Sequence, residues 1–324
     1  MLKPGQDTPL IRVENLCKYF QLSSKETLKA VDHISFEIYK GETVGVVGES
    51  GCGKSTLGRC LVNLYEATGG DVYFKGVNLK KYRKQPLKKE LCQNAQMIFQ
   101  NPYASLNPRM TVKEIVGEGI KLYHRHITDA ELEKQVLALL QRVELNKDHM
   151  SRFAHEFSGG QKQRIGIARA LSVNPGFIVC DEPISALDVS IQAQVINMLK
   201  ELQKEMGLTY LFIAHDLSVV KYISDRIIVM YVGNMAEYAD AEELYRNPLH
   251  PYTRALLSAI PVADPDAADQ RKEIPIEGEI TSPINPKPGC RFAPRCPYAE
   301  EICKRETPER KEVIKGHYVS CHLY

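Results

Sequence analysis

The chain has 324 residues, of which 44% are apolar and 25% charged, the composition of an ordinary folded protein, which excludes a fibrous or disordered class. Its length exceeds a typical single domain, so one large core with an appended smaller unit, or two domains, is expected. With 42 basic and 40 acidic residues the net charge is +2, and no overall excess argues for nucleic acid as the main partner.

The opening MLKPGQDTPLIRVEN contains no apolar signal core, and no run approaches the roughly 18 to 20 apolar residues that cross a bilayer. The chain is therefore expected to stay in the cytoplasm and to reach a membrane only through partners. Short apolar runs then alternate with helical patterns: TVGVV at 43–47, FIVC at 177–180, TYLFIA at 209–214 and RIIVMY at 226–231. Runs apolar on both alternating faces suit strands buried on two sides, as in a parallel sheet flanked by helices, so the fold class is α/β.

GESGCGKST follows the first of these strands and precedes the helical pattern STLGRCLVNLY; it comprises Gly48, Glu49, Ser50, Gly51, Cys52, Gly53, Lys54, Ser55 and Thr56. Such a loop directs backbone N–H groups, a helix N-terminus and a lysine at a nucleotide's phosphates, with Ser55 available for Mg²⁺. The lysine-rich KKYRKQPLKK at 80–89 reads as a solvated face, with lipid headgroup contact the lesser alternative. Gln100 follows the strand AQMIFQ, and a helix-rich section begins beyond it. Within that section Thr128 and Glu131 are spaced as a capping box in TDAELEKQVLALLQRVEL, which suggests a helical subdomain inserted in the core.

In FSGGQKQRIGIARALS, Ser158, Gly159, Gly160 and Gln161 open a helix whose positions Ile165, Ala168 and Leu171 share a face. Its N-terminus offers unpaired N–H groups and a positive dipole end to phosphate. One nucleotide does not need two such ends from one chain, so a dimer is expected in which this loop faces the γ-phosphate bound to the other subunit. FIVCDE ends a buried strand in two carboxylates: Asp181 is placed for the Mg²⁺ shell and Glu182 for a general base that polarises water.

Beyond residue 260, PVADPDAADQRKEIPIEGEITSPINPKPG reads as an extended connection. Nine cysteines in a reduced cytosol argue against a disulfide framework. Cys17, Cys52, Cys60, Cys92 and Cys180 are scattered and read as small core or surface residues. Cys290, Cys296, Cys303 and Cys321, spaced C-x5-C-x6-C-x17-C, supply four thiolates, enough for a cluster or a tetrahedral metal. Pro294 and Pro297 stiffen the segment. Arg291 and Arg295 lie where they can stabilise an anionic cluster, although solvated bases would look the same.

The order GESGCGKST, FSGGQ, FIVCDE, SALD and IAHD resembles the ATP-binding subunit of ABC transporters over about the first 240 residues. The resemblance implies a P-loop NTPase core, a RecA-like parallel sheet with antiparallel strands. It implies an ATP-binding domain over 1–260 with its helical subdomain at about 101–172, and an extension over 261–324. It further implies that Gln100 links the Mg²⁺ site to the helical subdomain, and that Ser185 to Asp188 communicate across the dimer. His215 contacts the γ-phosphate. The aromatic that stacks on adenine lies in LCKYF, with Phe20 the better match and Tyr19 the alternative; a core packing role is the other reading of Phe20.

NPYASLNPRMTV at 101–112, AEELYRNPLHPYTRALLSAIP at 241–261 and GCRFAPRCPYAEEIC at 289–303 resemble the ATP-binding subunits of oligopeptide/dipeptide importers. That branch implies two permease subunits, an extracytoplasmic substrate-binding protein and two ATPase subunits, often nonidentical, at the cytoplasmic face of the membrane. It includes subunits with a [4Fe-4S] cluster bound by this segment, and so favours the cluster over zinc or unligated cysteines. The alternatives are an importer motor for nickel or another solute, a soluble ABC ATPase of translation or DNA repair, and a module that uses ATP only to dimerise. Soluble ABC ATPases usually carry two cassettes or a long coiled-coil insertion, and a module that only dimerises does not need Glu182 and His215.

Overall fold

The structure, a computed structural model, describes residues 8–83, 85–260 and 274–324. Its strands in chain order are β1 (Ile11–Gln21), β2 (Thr27–Ile38), β3 (Thr43–Val47), β4 (Gly69–Phe74), β5 (Val77–Asn78) and β6 (Ala95–Ile98). They continue with β7 (Phe177–Asp181), β8 (Thr209–Ile213), β9 (Arg226–Tyr231), β10 (Asn234–Asp240), β11 (Lys311–Ile314) and β12 (His317–Val319). Two compact units divide the chain: Tyr39–Glu42 with Lys80–Leu211, and Thr8–Ile38 with Thr43–Leu79 and Phe212–Tyr324.

In the first unit β6 and β7 pair in parallel, Ala95 opposite Phe177 and Ile98 opposite Cys180. Every residue of β7 is buried, as expected of a strand covered on both faces. Three helices start on reciprocal caps in which a hydroxyl accepts from the third residue on: Thr111 with Glu114, Thr128 with Glu131, and Ser158 with Gln161. Each such cap contributes about 1 kcal/mol. The helix Gly159–Leu171 buries Ile165, Ala168 and Leu171, but also Ile167, Ala170 and Arg164, so it is enclosed well beyond one face. Arg164 is tolerated there because its guanidinium donates to Val143 O at 3.0 Å, Glu144 Oε2 at 2.5 Å and Gln194 Oε1 at 3.0 Å. Around the buried Tyr82, Lys80, Lys81, Lys88 and Lys89 are exposed, while residue 84 lies outside the described residues.

The second unit contains an antiparallel sheet in the order β2-β1-β4-β5. It also contains the strand succession β11-β12-β10-β9-β3, in which β3 runs parallel to β9 and the remaining pairs are antiparallel. The residues after 274 belong to this unit and not to a free appendage: β12 pairs with β10, Glu237 opposite Val319 and Tyr238 opposite Tyr318. Beneath that pairing His317 Nε2 lies 2.7 Å from Glu237 Oε1, with the two side chains 1% and 0% exposed. Glu237 also accepts from the backbone N–H groups of Leu249 at 2.7 Å and His250 at 2.9 Å, which satisfies a buried carboxylate. Of the expected extended connection, 261–273 lies outside the described residues. Further on, Asn285 ties the chain to the β1–β2 hairpin by accepting from Thr27 N at 3.0 Å and donating to Lys25 O at 2.7 Å.

Candidate functional site

The wholly buried β3 delivers the chain to Gly48, and the loop that follows returns at Gly53 to cap the helix Lys54–Leu61. Gly48 has φ 149° and Gly53 φ 104°; a Cβ would stand 2.1 Å from Met230 O at the first and 1.9 Å from Ala30 O at the second. Only glycine fits there. Lys54 is 4% exposed, and its Nζ donates to Gly48 O at 2.7 Å and Glu49 O at 3.0 Å. His215 Nδ1 lies 3.5 Å from that ammonium although 161 residues separate the two in sequence. Cys52 is buried in the loop, and burial raises its thiol pKa above the ordinary value. Ser50 and Gly51 are exposed at the tip, and Ser55 and Thr56 occupy the first helical turn half-buried.

Glu49 is held from both ends. Its N–H donates to Tyr252 Oη at 3.0 Å, and both its carboxylate oxygens accept from Arg295 Nη1 at 2.9 Å. Of the two candidate aromatics, Tyr19 donates its hydroxyl to Asp32 Oδ1, and burial together with that carboxylate raises its pKa. Phe20 packs edge-on to Tyr65 at a centroid distance of 5.5 Å, with Lys18 Nζ 4.8 Å from its own centroid.

In the first unit β7 ends at Asp181, which is fully buried, and Glu182 follows with φ 46° and 5% exposure. Gln100 Nε2 donates to Glu182 Oε2 at 2.5 Å. Beyond them Gln192 Nε2 donates to Ile184 O at 3.2 Å and Leu187 O at 3.0 Å, fixing the SALD turn, and Asp188 is exposed at the start of the helix Val189–Met206. Ser158 N donates to Gln161 Oε1 at 3.1 Å, so these two side chains are engaged in the cap, while Gly159 and Gly160 begin the helix. The oxygen donors of Ser55, Gln100 and Asp181 are of the hard type that suits Mg²⁺.

Cys290, Cys296, Cys303 and Cys321 line one small pocket together with Phe292, Ala293, Tyr298 and Leu323. Burial pushes Cys290 up to about 11, and it raises Cys296 and Cys321 as well. Against that, backbone N–H groups of Phe292 and Ala293 serve Cys290, that of Tyr298 serves Cys296 and that of Leu323 serves Cys321, all favouring thiolates. Among the described residues no three of these sulfurs lie within 4.8 Å of one another. A tetrahedral zinc with Zn–S bonds of about 2.3 Å needs sulfurs about 3.8 Å apart, closer than these sulfurs stand.

The only group of three possible metal ligands that does meet that distance among the described residues is Cys17, Asp32 and His33. Asp32 already pairs with Arg291 and has Lys29 Nζ at 3.7 Å, a poor setting for a further cation. The arginines of the cysteine segment correct the sequence reading: Arg291 is buried and Arg295 partly so, and both are directed elsewhere, Arg291 to Asp32 and Val232 O, Arg295 to Glu49. Their sequence partners lie 259 and 246 residues away, and no local signal marks them. The remaining cysteines bear out the plain reading: Cys17, Cys52, Cys60 and Cys180 are buried and Cys92 exposed.

A buried strand, a glycine loop and a helix carrying Lys54, with FSGGQ and an acidic strand end elsewhere in an α/β fold, define an ATP-binding cassette. The family profile "ABC transporter" matches residues 31–185, and that of "Oligopeptide/dipeptide transporter, C-terminal region" matches 236–303. The chain is 56% identical over 318 residues to the putative oligopeptide transport ATP-binding protein YkfD of Bacillus subtilis (strain 168), covering 98% of this chain and 96% of the relative. It is 51% identical to AppF, an oligopeptide transport ATP-binding protein of the same organism, over the full length of both. Among solved structures it is similar to the ATP-binding cassette MJ0796, described as a dimer in a post-hydrolysis state with ADP and Pi. That likeness has 29% identity and a TM-score of 0.66, and covers 71% of this chain and 98% of that one. The chain belongs to the ABC transporter family, among the ATP-binding proteins of the oligopeptide/dipeptide branch. No helix among the described residues is long and apolar enough to cross a membrane.

Proposed function

We propose that this chain is the ATP-hydrolysing motor of an importer for di- or oligopeptides. The observation that carries the reading is the convergence of Lys54 and His215 on the glycine loop, in a chain that also has the C-terminal region of the peptide-transport branch. Residues 1–260 form the ATP-binding domain, with the helical subdomain at about 101–172, and 261–324 form the extension. The motor works at the cytoplasmic face of the membrane with two permease subunits, a second and nonidentical ATPase subunit, and an extracytoplasmic peptide-binding protein that supplies the cargo.

In the second unit Lys54 exchanges the carbonyls of Gly48 and Glu49 for phosphate oxygens, the loop N–H groups cradle the phosphates, and His215 contacts the γ-phosphate. Phe20 stacks on the adenine. Ser55 would be the Mg²⁺ ligand of this unit, and Gln100 and Asp181 carry oxygen donors of the same hard type in the first; the ion, when bound, would neutralise phosphate charge. Glu182 takes a proton from the attacking water, and its contact with Gln100 holds it in place. The N–H groups of Gly159 and Gly160, in the turn that Ser158 and Gln161 fix by their reciprocal cap, face the γ-phosphate held by the partner subunit, and the loop ending in Asp188 senses it. ATP binding favours the closed dimer and hydrolysis reopens it. Cys290, Cys296, Cys303 and Cys321 would hold a [4Fe-4S] cluster, which when bound would cross-link a segment poor in apolar residues.

Uptake of labelled oligopeptides by a strain lacking this gene tests the function: the wild-type chain restores it and Lys54→Ala does not. Unchanged peptide uptake with lost nickel uptake overturns the substrate class. Iron, acid-labile sulfide and zinc are measured on protein purified without oxygen, beside Cys296→Ser. About four irons and four sulfides per chain, lost in the variant, support the cluster, and zinc or no metal overturns it.

A further inference from the structure

Arg295 does not face the sulfurs next to it. It sits in the short turn Ala293–Arg295, immediately before Cys296, and its side chain is 9% exposed. One terminal nitrogen, Nη1, spans both carboxylate oxygens of Glu49 at 2.9 Å and reaches Tyr231 Oη at 3.2 Å. Behind the pair, Tyr231, Tyr252 and Phe292 pack on one another with centroid distances of 4.7, 5.2 and 5.3 Å. Tyr252 accepts the N–H of Glu49, and Phe292 is part of the cysteine segment. The wall behind the phosphate loop is therefore built in part by the C-terminal region.

The charge arithmetic gives this wall a purpose. Glu49 places a carboxylate in a loop that has to receive a polyanion, and a half-buried carboxylate next to phosphates is repulsive in a medium less polar than water. A guanidinium largely screened from water neutralises it and fixes its direction, which also fixes the backbone between Gly48 and Ser50. We propose that Arg295 is a positioning residue for ATP: it holds Glu49 away from the phosphates, so the cysteine segment sets the nucleotide affinity of the motor. The proposal rests on the reading of Gly48–Thr56 as the ATP site.

The test is titration with a fluorescent ATP analogue and steady-state hydrolysis, on the full chain and on Arg295→Met, Arg295→Lys and the double variant Arg295→Met/Glu49→Gln. With Arg295→Met, Kd and KM are expected to rise about tenfold while kcat at saturating ATP stays within about twofold. Arg295→Lys keeps the charge on one short-reach donor group and weakens binding about threefold. The double variant regains most of the lost affinity because the unpaired carboxylate is gone. Wild-type affinity in Arg295→Met, or a loss that Glu49→Gln does not relieve, overturns the proposal. Failure of the wild-type chain to bind the analogue would instead overturn the ATP-site reading. Should Arg295→Met not fold, Arg295→Lys carries the test, and wild-type affinity in it overturns the proposal.

Discussion

Replacing Glu182 by glutamine separates nucleotide binding from turnover. The carboxylate accepts from Gln100 Nε2 at 2.5 Å, and an amide of the same shape still offers that donor an oxygen, so the resting arrangement of the two side chains is retained. What disappears is the ability to take a proton. A positioned general base contributes about 10²- to 10⁴-fold, or about 2.7 to 5.4 kcal/mol of barrier. Glu182 is only 5% exposed, which limits replacement of the base by bulk water, so a fall of about 10³-fold in kcat is expected. Phosphate release at saturating ATP measures the loss, nucleotide titration measures affinity, and size-exclusion chromatography with ATP follows dimer formation. Affinity should stay within about twofold, and the ATP-bound dimer should accumulate because reopening is blocked. Hydrolysis within tenfold of the wild type would refute the assignment of Glu182 as base, and lost ATP binding would refute the separation of roles.

Two further expectations concern stability. Gly53→Ala places a methyl 1.9 Å from Ala30 O at φ 104°, whereas Gly51→Ala at φ 75° meets nothing within 4 Å. The first should lower the thermal midpoint by several degrees and abolish nucleotide binding, and the second should cost only the strain of its backbone, about 1 kcal/mol; similar midpoints for the two would count against steric exclusion at Gly53. For His317, burial alone lowers the pKa, but the hydrogen bond and charge of Glu237, aided by Glu243, outweigh it and the pKa is raised. The folded state then binds the proton more tightly than the unfolded chain. The stabilisation is complete below the ordinary histidine value of about 6.5 and is lost as pH rises through the folded pKa. Melting curves at rising pH should show that loss, and His317→Gln should remove this dependence.

What the sequence shows depends on how local the cause is. The buried strands β3, β7, β8 and β9 are legible because each is a short apolar run, and the phosphate loop because strand, glycines and lysine follow one another within a few residues. The β2-β1-β4-β5 sheet is harder to read: the β1–β2 pairing shifts register between Val13 and Leu16 and again before Lys18 and Tyr19, which breaks the alternation of its side chains. The hairpin at β11 and β12 is hidden by the opposite problem, since all of Lys311–Ile314 is exposed and its membership rests on β12 pairing with β10. Arg291 and Arg295 mislead for a third reason. A basic side chain beside a cysteine carries no mark of whether it faces that cysteine, water or an acid hundreds of residues earlier.

The Arg295–Glu49 contact also has an order in time. A ribosome adds about 5 to 20 residues per second, so the chain that carries Glu49 waits roughly ten to fifty seconds for its counter-charge, 246 residues later, to be synthesised. During that interval the glycine loop is covalently complete but its acidic side chain has no guanidinium partner from the C-terminal region. An unfinished chain or one cut before the cysteine segment lacks the contact altogether. The acid of this pair is therefore made well before its base, and a nascent chain carries its glycine loop with Glu49 not yet braced.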